Sequence, residues 1–227
     1  MKKVMLLAAA IGSFVFGFQT AGERFDQVVR RDFFMGFSGD TAALDRAMKT
    51  AEAVLKENPD QAEALVWQGA GYAFLSGRAF RDGDQGKGME YWEKATSTMD
   101  RAVGLQPRNI SVRIPRAATL AAATRSPAMP DFIRTPLMQA AMGDYEQAYQ
   151  MQKSQFDSLS EHARGELLLG MADLQERLGQ VERSRALLEI AATTLPKGAY
   201  AGRARKWLDG GTIPDAERTC LGCHAAK

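Results

Sequence analysis

The chain has 227 residues, of which 45% are hydrophobic and 25% charged, ordinary values for one globular domain with a real core. Of its 29 basic residues, Lys2 and Lys3 belong to a predicted leader, and no acidic residue precedes Glu23. The remainder therefore carries 27 basic against 27 acidic residues, and this balance argues against a nucleic-acid-binding surface.

Residues 1–22 read as a signal peptide. Met1-Lys2-Lys3 is a short positive region, and Val4 to Phe18 is an apolar run without charge, too short to span a membrane comfortably. Thr20, Ala21 and Gly22 supply small residues for cleavage after Ala21 or Gly22; an uncleaved anchor is the alternative. The leader has no cysteine, so it is not a lipoprotein signal. The expectation is a periplasmic or otherwise exported protein with no membrane span once the leader is removed.

Residues 23–209 read as one α-helical domain, with apolar residues at helical spacing and no alternating strand run. Phe25, Val28, Val29 and Phe33 predict an apolar helix face, which Phe34, Met35 and Phe37 extend towards Gly39. A repeat follows. Ala47, Ala51, Val54 and Pro59 have gaps of four, three and five, which recur at Ala95, Met99, Ala102 and Pro107 and at Ser184, Leu188, Ala191 and Pro196. Leu65, Gly69 and Tyr72 form a large, small and aromatic set on a preceding helix. Leu168 and Ala172 repeat its first two places, Gln175 stands where the aromatic belongs, and Gly179 suits a turn. Gly143, Tyr145 and Ala148 read as a turn and second-helix start.

These residues resemble the tetratricopeptide repeat, a helix pair whose second helix closes on proline. The resemblance implies an all-α, degenerate helical repeat array, clearest over Ala43–Pro107 and Leu167–Pro196. It also implies a groove that docks a protein partner. Tyr72 to Ala95 is 23 residues where the regular repeat has about nine, so a glycine-rich insertion, Ser76 to Gly88, is expected as an exposed loop. Asp82, Asp84 and Glu93 mimic a calcium loop, but Gly86 and Lys87 break it. Gly86-Lys87 is not a phosphate loop, because Gly88 replaces the required hydroxyl residue. Pro127, Pro130 and Pro136 predict a helix break over Ser126–Pro136.

Ala199 to Leu208 reads as a last, basic helix with Arg203, Arg205, Lys206 and Trp207, stopped by Asp209-Gly210-Gly211. Thr212 to Asp215 resembles a capped helix start, so a short helix is expected from Pro214 to His224.

Residues 210–227 end in Cys220-Leu221-Gly222-Cys223-His224, which resembles the attachment motif of c-type cytochromes. Both cysteines of the chain and one of its two histidines lie in it. In that chemistry Cys220 and Cys223 add across the two haem vinyl groups as thioethers, and His224 binds the iron as proximal ligand. Other readings of the pair are a redox dithiol or disulfide and half a zinc site. In bacteria c-type haem is attached outside the cytoplasmic membrane, so leader and motif support each other.

Only three residues follow the motif, so a distal ligand must come from upstream or from another molecule, or be absent. His162 is the only other histidine, and Met129, Met138, Met142 and Met171 are further candidates. Trp207, Leu208, Ile213 and Leu221 are candidates to shield the porphyrin, and Arg203, Arg205, Lys206 and Arg218 to neutralise its propionates. No catalytic residue is predicted. The expected function is monohaem electron transfer, with one covalent haem c and a redox protein as partner. The alternatives are a haem-free scaffold with a redox cysteine pair, and an open-site haem sensor.

Overall fold

The computed structural model describes residues 24–127, 129–195 and 198–210. The predicted leader (1–22), Ile213, Arg218, Leu221 and the motif residues Cys220, Cys223 and His224 lie outside the described residues.

The described residues form α1 (Phe25–Phe37), α2 (Thr41–Glu57), α3 (Ala62–Arg81), α4 (Gln85–Leu105), α5 (Ile110–Ala123), α6 (Asp131–Gln152), α7 (Glu161–Arg177), α8 (Val181–Thr194) and α9 (Ala199–Leu208). Polar caps start most of them. Asp40, Gln61, Asp84, Asn109 and Ser160 each accept a bond from an N–H of the first turn, satisfying donors the helix leaves open. Gly39, Gly83 and Gly179 take positive φ just past a helix end, where a Cβ would be strained.

Consecutive helices pack as pairs: α1 with α2, α3 with α4, α5 with α6, and α7 with α8. The odd-numbered helices also contact one another in succession, from α1 through α3, α5 and α7 to α9, which packs on both α7 and α8. This is an all-α array of helix pairs, as expected. The repeated triplets explain the pairing. Ala47, Ala51, Ala95, Met99, Ala102, Ser184, Leu188 and Ala191 are all buried, with Val54 partly so. Small residues let the helices approach: a Cβ at Gly69 would stand 3.0 Å from the Ala95 carbonyl oxygen and closer still to the Met99 side chain. Large residues fill the remaining space, and Phe33, Met99, Leu167, Leu168 and Leu174 are fully enclosed, each contributing about 1.5–3 kcal/mol. Gln175 is buried too, so an amide occupies the inner position expected to hold an aromatic ring.

Several expectations are corrected. A further triplet with gaps of four and three, Ala141, Tyr145 and Ala148, is buried on α6. Ala47, Ala95, Ala141 and Ser184 are thus 48, 46 and 43 residues apart, against an expected period of ~34. The extra length is helical. Ser76–Gly88 is not a loop: α3 runs to Arg81 and α4 starts at Gln85, leaving only Asp82-Gly83-Asp84 as the turn. The Ser76 hydroxyl donates to the Gly88 carbonyl at 2.8 Å, and the Phe80 ring lies where a Cβ of Gly88 would stand. Gly143 is not a turn but lies within α6. Pro136 also lies inside α6, so the helix break is confined to the residues before Asp131. Its ring removes a bond to the Phe132 carbonyl, and Phe132 is 79% exposed, so water can serve that acceptor instead. Val28 is exposed while Phe25, Val29 and Phe33 are buried. It stands one residue, or about 100°, round the helix from Val29, at the edge of the stripe.

Charge also crosses the interior. Asp144 of α6, 1% exposed, accepts bonds from both Arg113 and Arg116 of α5, and Arg116 reaches Asp100 of α4 at 2.8 Å. Asp173 of α7 pairs with Arg125 at the end of α5 and with Arg177, whose guanidinium donates to the Thr124 hydroxyl at 2.6 Å. Burial pushes the Arg177 pKa down, opposed by the charge of Asp173.

Candidate functional site

The histidine singled out by sequence sits at the second position of α7, after the capping residue Ser160. The start of α7 meets the start of α9 here. His162 Nδ1 lies 2.6 Å from the Tyr200 hydroxyl oxygen, and the same hydroxyl donates to Glu166 Oε1 at 2.6 Å. His162 and Glu166 are one helical turn apart, so both can face one partner on the neighbouring helix. His162 is exposed, Glu166 half-buried and Tyr200 buried.

Close packing fixes this arrangement. Gly165 lets the Tyr200 side chain lie directly on α7: a Cβ there would stand 2.8 Å from Tyr200 Cβ and nearer still to the ring. The Arg203 guanidinium lies over the Tyr200 ring, 4.3 Å from its centroid.

The hydrogen bonds set a protonation pattern. A phenol has one proton, and here it goes to the Glu166 carboxylate, which accepts only. The phenol oxygen can accept from His162 Nδ1–H in the tautomer that carries its proton there. Sequence reading found His162 but missed Tyr200 and Glu166. The spacing of His162 and Glu166 was a weak signal, and nothing local pointed to Tyr200.

The other candidates are distributed differently. Met138, Met142 and Met171 are buried in the core, and Met129 lies in the α5–α6 connection, where its carbonyl accepts from Arg134. Trp207 is buried and belongs to the core, with Leu208 packed against it. Arg205 reaches the Ala192 carbonyl of α8 at 3.4 Å, and Lys206 is exposed. Among the described residues no group of three or more His, Cys, Asp or Glu side chains could hold a metal ion alone. Nor is any helix among them long and apolar enough to cross a membrane.

An imidazole is a side chain that can bind haem iron, and His162 carries one on the exposed start of α7. No protein-family model matches the chain, no curated protein matches it, and no solved structure matches it.

Proposed function

We propose that the chain is an exported monohaem electron-transfer protein built on a tetratricopeptide-like scaffold that docks a redox protein. The observation that carries this reading is the Cys220-Leu221-Gly222-Cys223-His224 sequence, which uses every cysteine in the chain. A predicted export leader supports it, because the attachment chemistry and the leader call for the same compartment.

In this reading Cys220 and Cys223 hold the porphyrin through thioethers and His224 is the proximal ligand. Haem supplies reversible one-electron exchange at iron when attached. The rest is the work of the polypeptide. Arg203 and Lys206 place positive charge on the helix that leads to the attachment segment, where it favours anionic carboxylates. Stacked helix pairs of this kind offer a surface suited to orienting one protein against another.

The test is to co-express the full chain with the haem-attachment machinery, purify the exported product and record its intact mass beside a haem-stained denaturing gel. The expected result is loss of the leader and gain of one haem, on a band that keeps its stain after denaturation. An unstained band whose two thiols both alkylate would refute the proposal and leave a haem-free scaffold.

A further inference from the structure

We infer that Arg134 and Arg177 form a binding site for an oxyanion of the phosphate class, where the end of α5 meets the start of α6 and the end of α7. The site stands apart from the cysteine motif and does not depend on haem.

The observation is a surplus of positive charge in a half-buried place. The Arg134 side chain is 28% exposed and that of Arg177 16%. Arg177 pairs with the buried Asp173 at 3.3 Å, but Asp173 also holds Arg125 at 2.5 Å. Arg134 has only Asp131, 3.7 Å away and 91% exposed, where water screens the pair. Arg134 and Arg177 alone thus set two cations against one buried carboxylate, and that carboxylate is shared. Cations withdrawn from water without matching anions are costly, and an oxyanion supplies the missing charge.

The donors are already held in place. Arg177 donates through Nη2 to the Thr124 hydroxyl at 2.6 Å and through Nη1 to the Ala121 carbonyl at 3.0 Å. Arg134 donates through Nη2 to the carbonyls of Ser126, at 3.1 Å, and Met129. Thr124 and Ser126 are two residues apart, so these anchors lie within about 7 Å along the chain. Arg134 Nη1 and Arg177 Nε donate to no described residue, which leaves each fork a donor for a ligand. Forks fixed in this way lose little freedom on binding.

The field has the right sign. Burial lowers the Arg177 pKa; Asp173 opposes this, and Arg125 and Arg134 lower it further. The place therefore repels another cation and attracts an anion. No side chain caps the first turn of α6, so its open N–H groups add positive partial charge. Forks from two separate helices favour a tetrahedral oxyanion, whose oxygens diverge, over a planar carboxylate. A phosphate group also brings between one and two negative charges at neutral pH.

The test is isothermal titration calorimetry of the full chain with inorganic phosphate, at an ionic strength held constant with sodium chloride. The variants are Arg134→Gln, Arg134→Lys and Arg185→Gln. Arg185 is 64% exposed on α8 and serves as the control. Circular dichroism melts without phosphate report folding. The wild type should show one saturable site. Arg134→Gln should bind about 10- to 100-fold more weakly, the usual effect of losing a hydrogen bond from a charged donor. Arg134→Lys, which keeps the charge but not the fork, should lose less, and Arg185→Gln should match the wild type. Glycerol 2-phosphate separates the sources: tighter binding than inorganic phosphate assigns the site to a phosphoryl group on a larger molecule, and weaker binding to the free ion.

No saturable heat from the wild type with either probe would overturn the proposal. So would equal affinity in the wild type and a folded Arg134→Gln. Acetate binding as tightly as phosphate would overturn the phosphate class.

Discussion

Gly165 gives the sharpest test of how the site is held, because a single methyl group should act on it in a known direction. In Gly165→Ala the new Cβ would stand 2.8 Å from Tyr200 Cβ, whereas carbon–carbon contacts settle at ~3.5–4.0 Å. The obstruction lies at the base of the side chain, so a rotamer change cannot relieve it. The starts of α7 and α9 must separate by roughly 1 Å, and overpacking of this kind costs about 1–3 kcal/mol. Alanine also favours the helix over glycine by about 1 kcal/mol, so the net loss should be up to about 2 kcal/mol. Gly143→Ala is the internal control. It lies within α6 and a Cβ there meets nothing within 4 Å, so only the helix preference acts and the variant should gain up to about 1 kcal/mol. The two identical substitutions should therefore move the melting temperature in opposite directions, by about 2–4 °C per kcal/mol for a domain of this size. Thermal melts by circular dichroism measure this, and hydrogen exchange should show faster opening of Ala199–Leu208 in Gly165→Ala alone. Equal melting temperatures for the two variants, with unchanged exchange in α9, would show that Tyr200 does not bear on Gly165 as described.

Other expectations follow from the charged contacts. Asp144→Ala removes the carboxylate shared by Arg113 and Arg116, each 14% exposed, and Arg116 retains only the exposed Asp100. The loss should be about 3–5 kcal/mol by urea unfolding, with most of it recovered when Arg113 and Arg116 are also replaced by methionine; a loss below 1 kcal/mol would contradict the buried pairing. Asp32 is held below the usual carboxylate range chiefly by its hydrogen bond from Arg46. Because the folded state lowers this pKa, the stabilisation is present above the unfolded value of about 3.9 and disappears as pH falls through the folded one. Asp32→Asn should thus melt slightly below the wild type at pH 7, by less than about 1 kcal/mol since solvent screens the pair. The gap should close in acid, and a gap independent of pH would reject the linkage.

The helix pairs were legible in sequence because their contact faces repeat chemically. Ala95, Met99 and Ala102 announce the buried stripe of α4 by residue size alone. The pair α5–α6 was hidden for three physical reasons. Its triplet Ala141, Tyr145 and Ala148 lacks the closing proline, Gly143 imitates a turn, and Pro136 imitates a break although solvent can serve the carbonyl it strands. The Ser76–Gly88 stretch reads as a loop in sequence because glycine is weak in helices taken alone. Here packing decides instead, since Gly88 makes room for Phe80. His162 was legible as a candidate through its rarity. Its partner Tyr200 lies 38 residues away, and only the packing of α9 on α7 brings the two together.

The unequal lengths of the helices have a practical consequence. At 1.5 Å per residue, the 20 residues of α3 and the 21 of α4 make rods of about 30 Å, whereas the 14 residues of α5 beside them make about 21 Å. Residues 81–87 at the far end are exposed throughout, and the Ser76–Gly88 contact braces the rods from within. That end is a natural insertion point: an epitope or fluorophore spliced at Gly83 would add only loop-closure entropy and leave the neighbouring helices undisturbed.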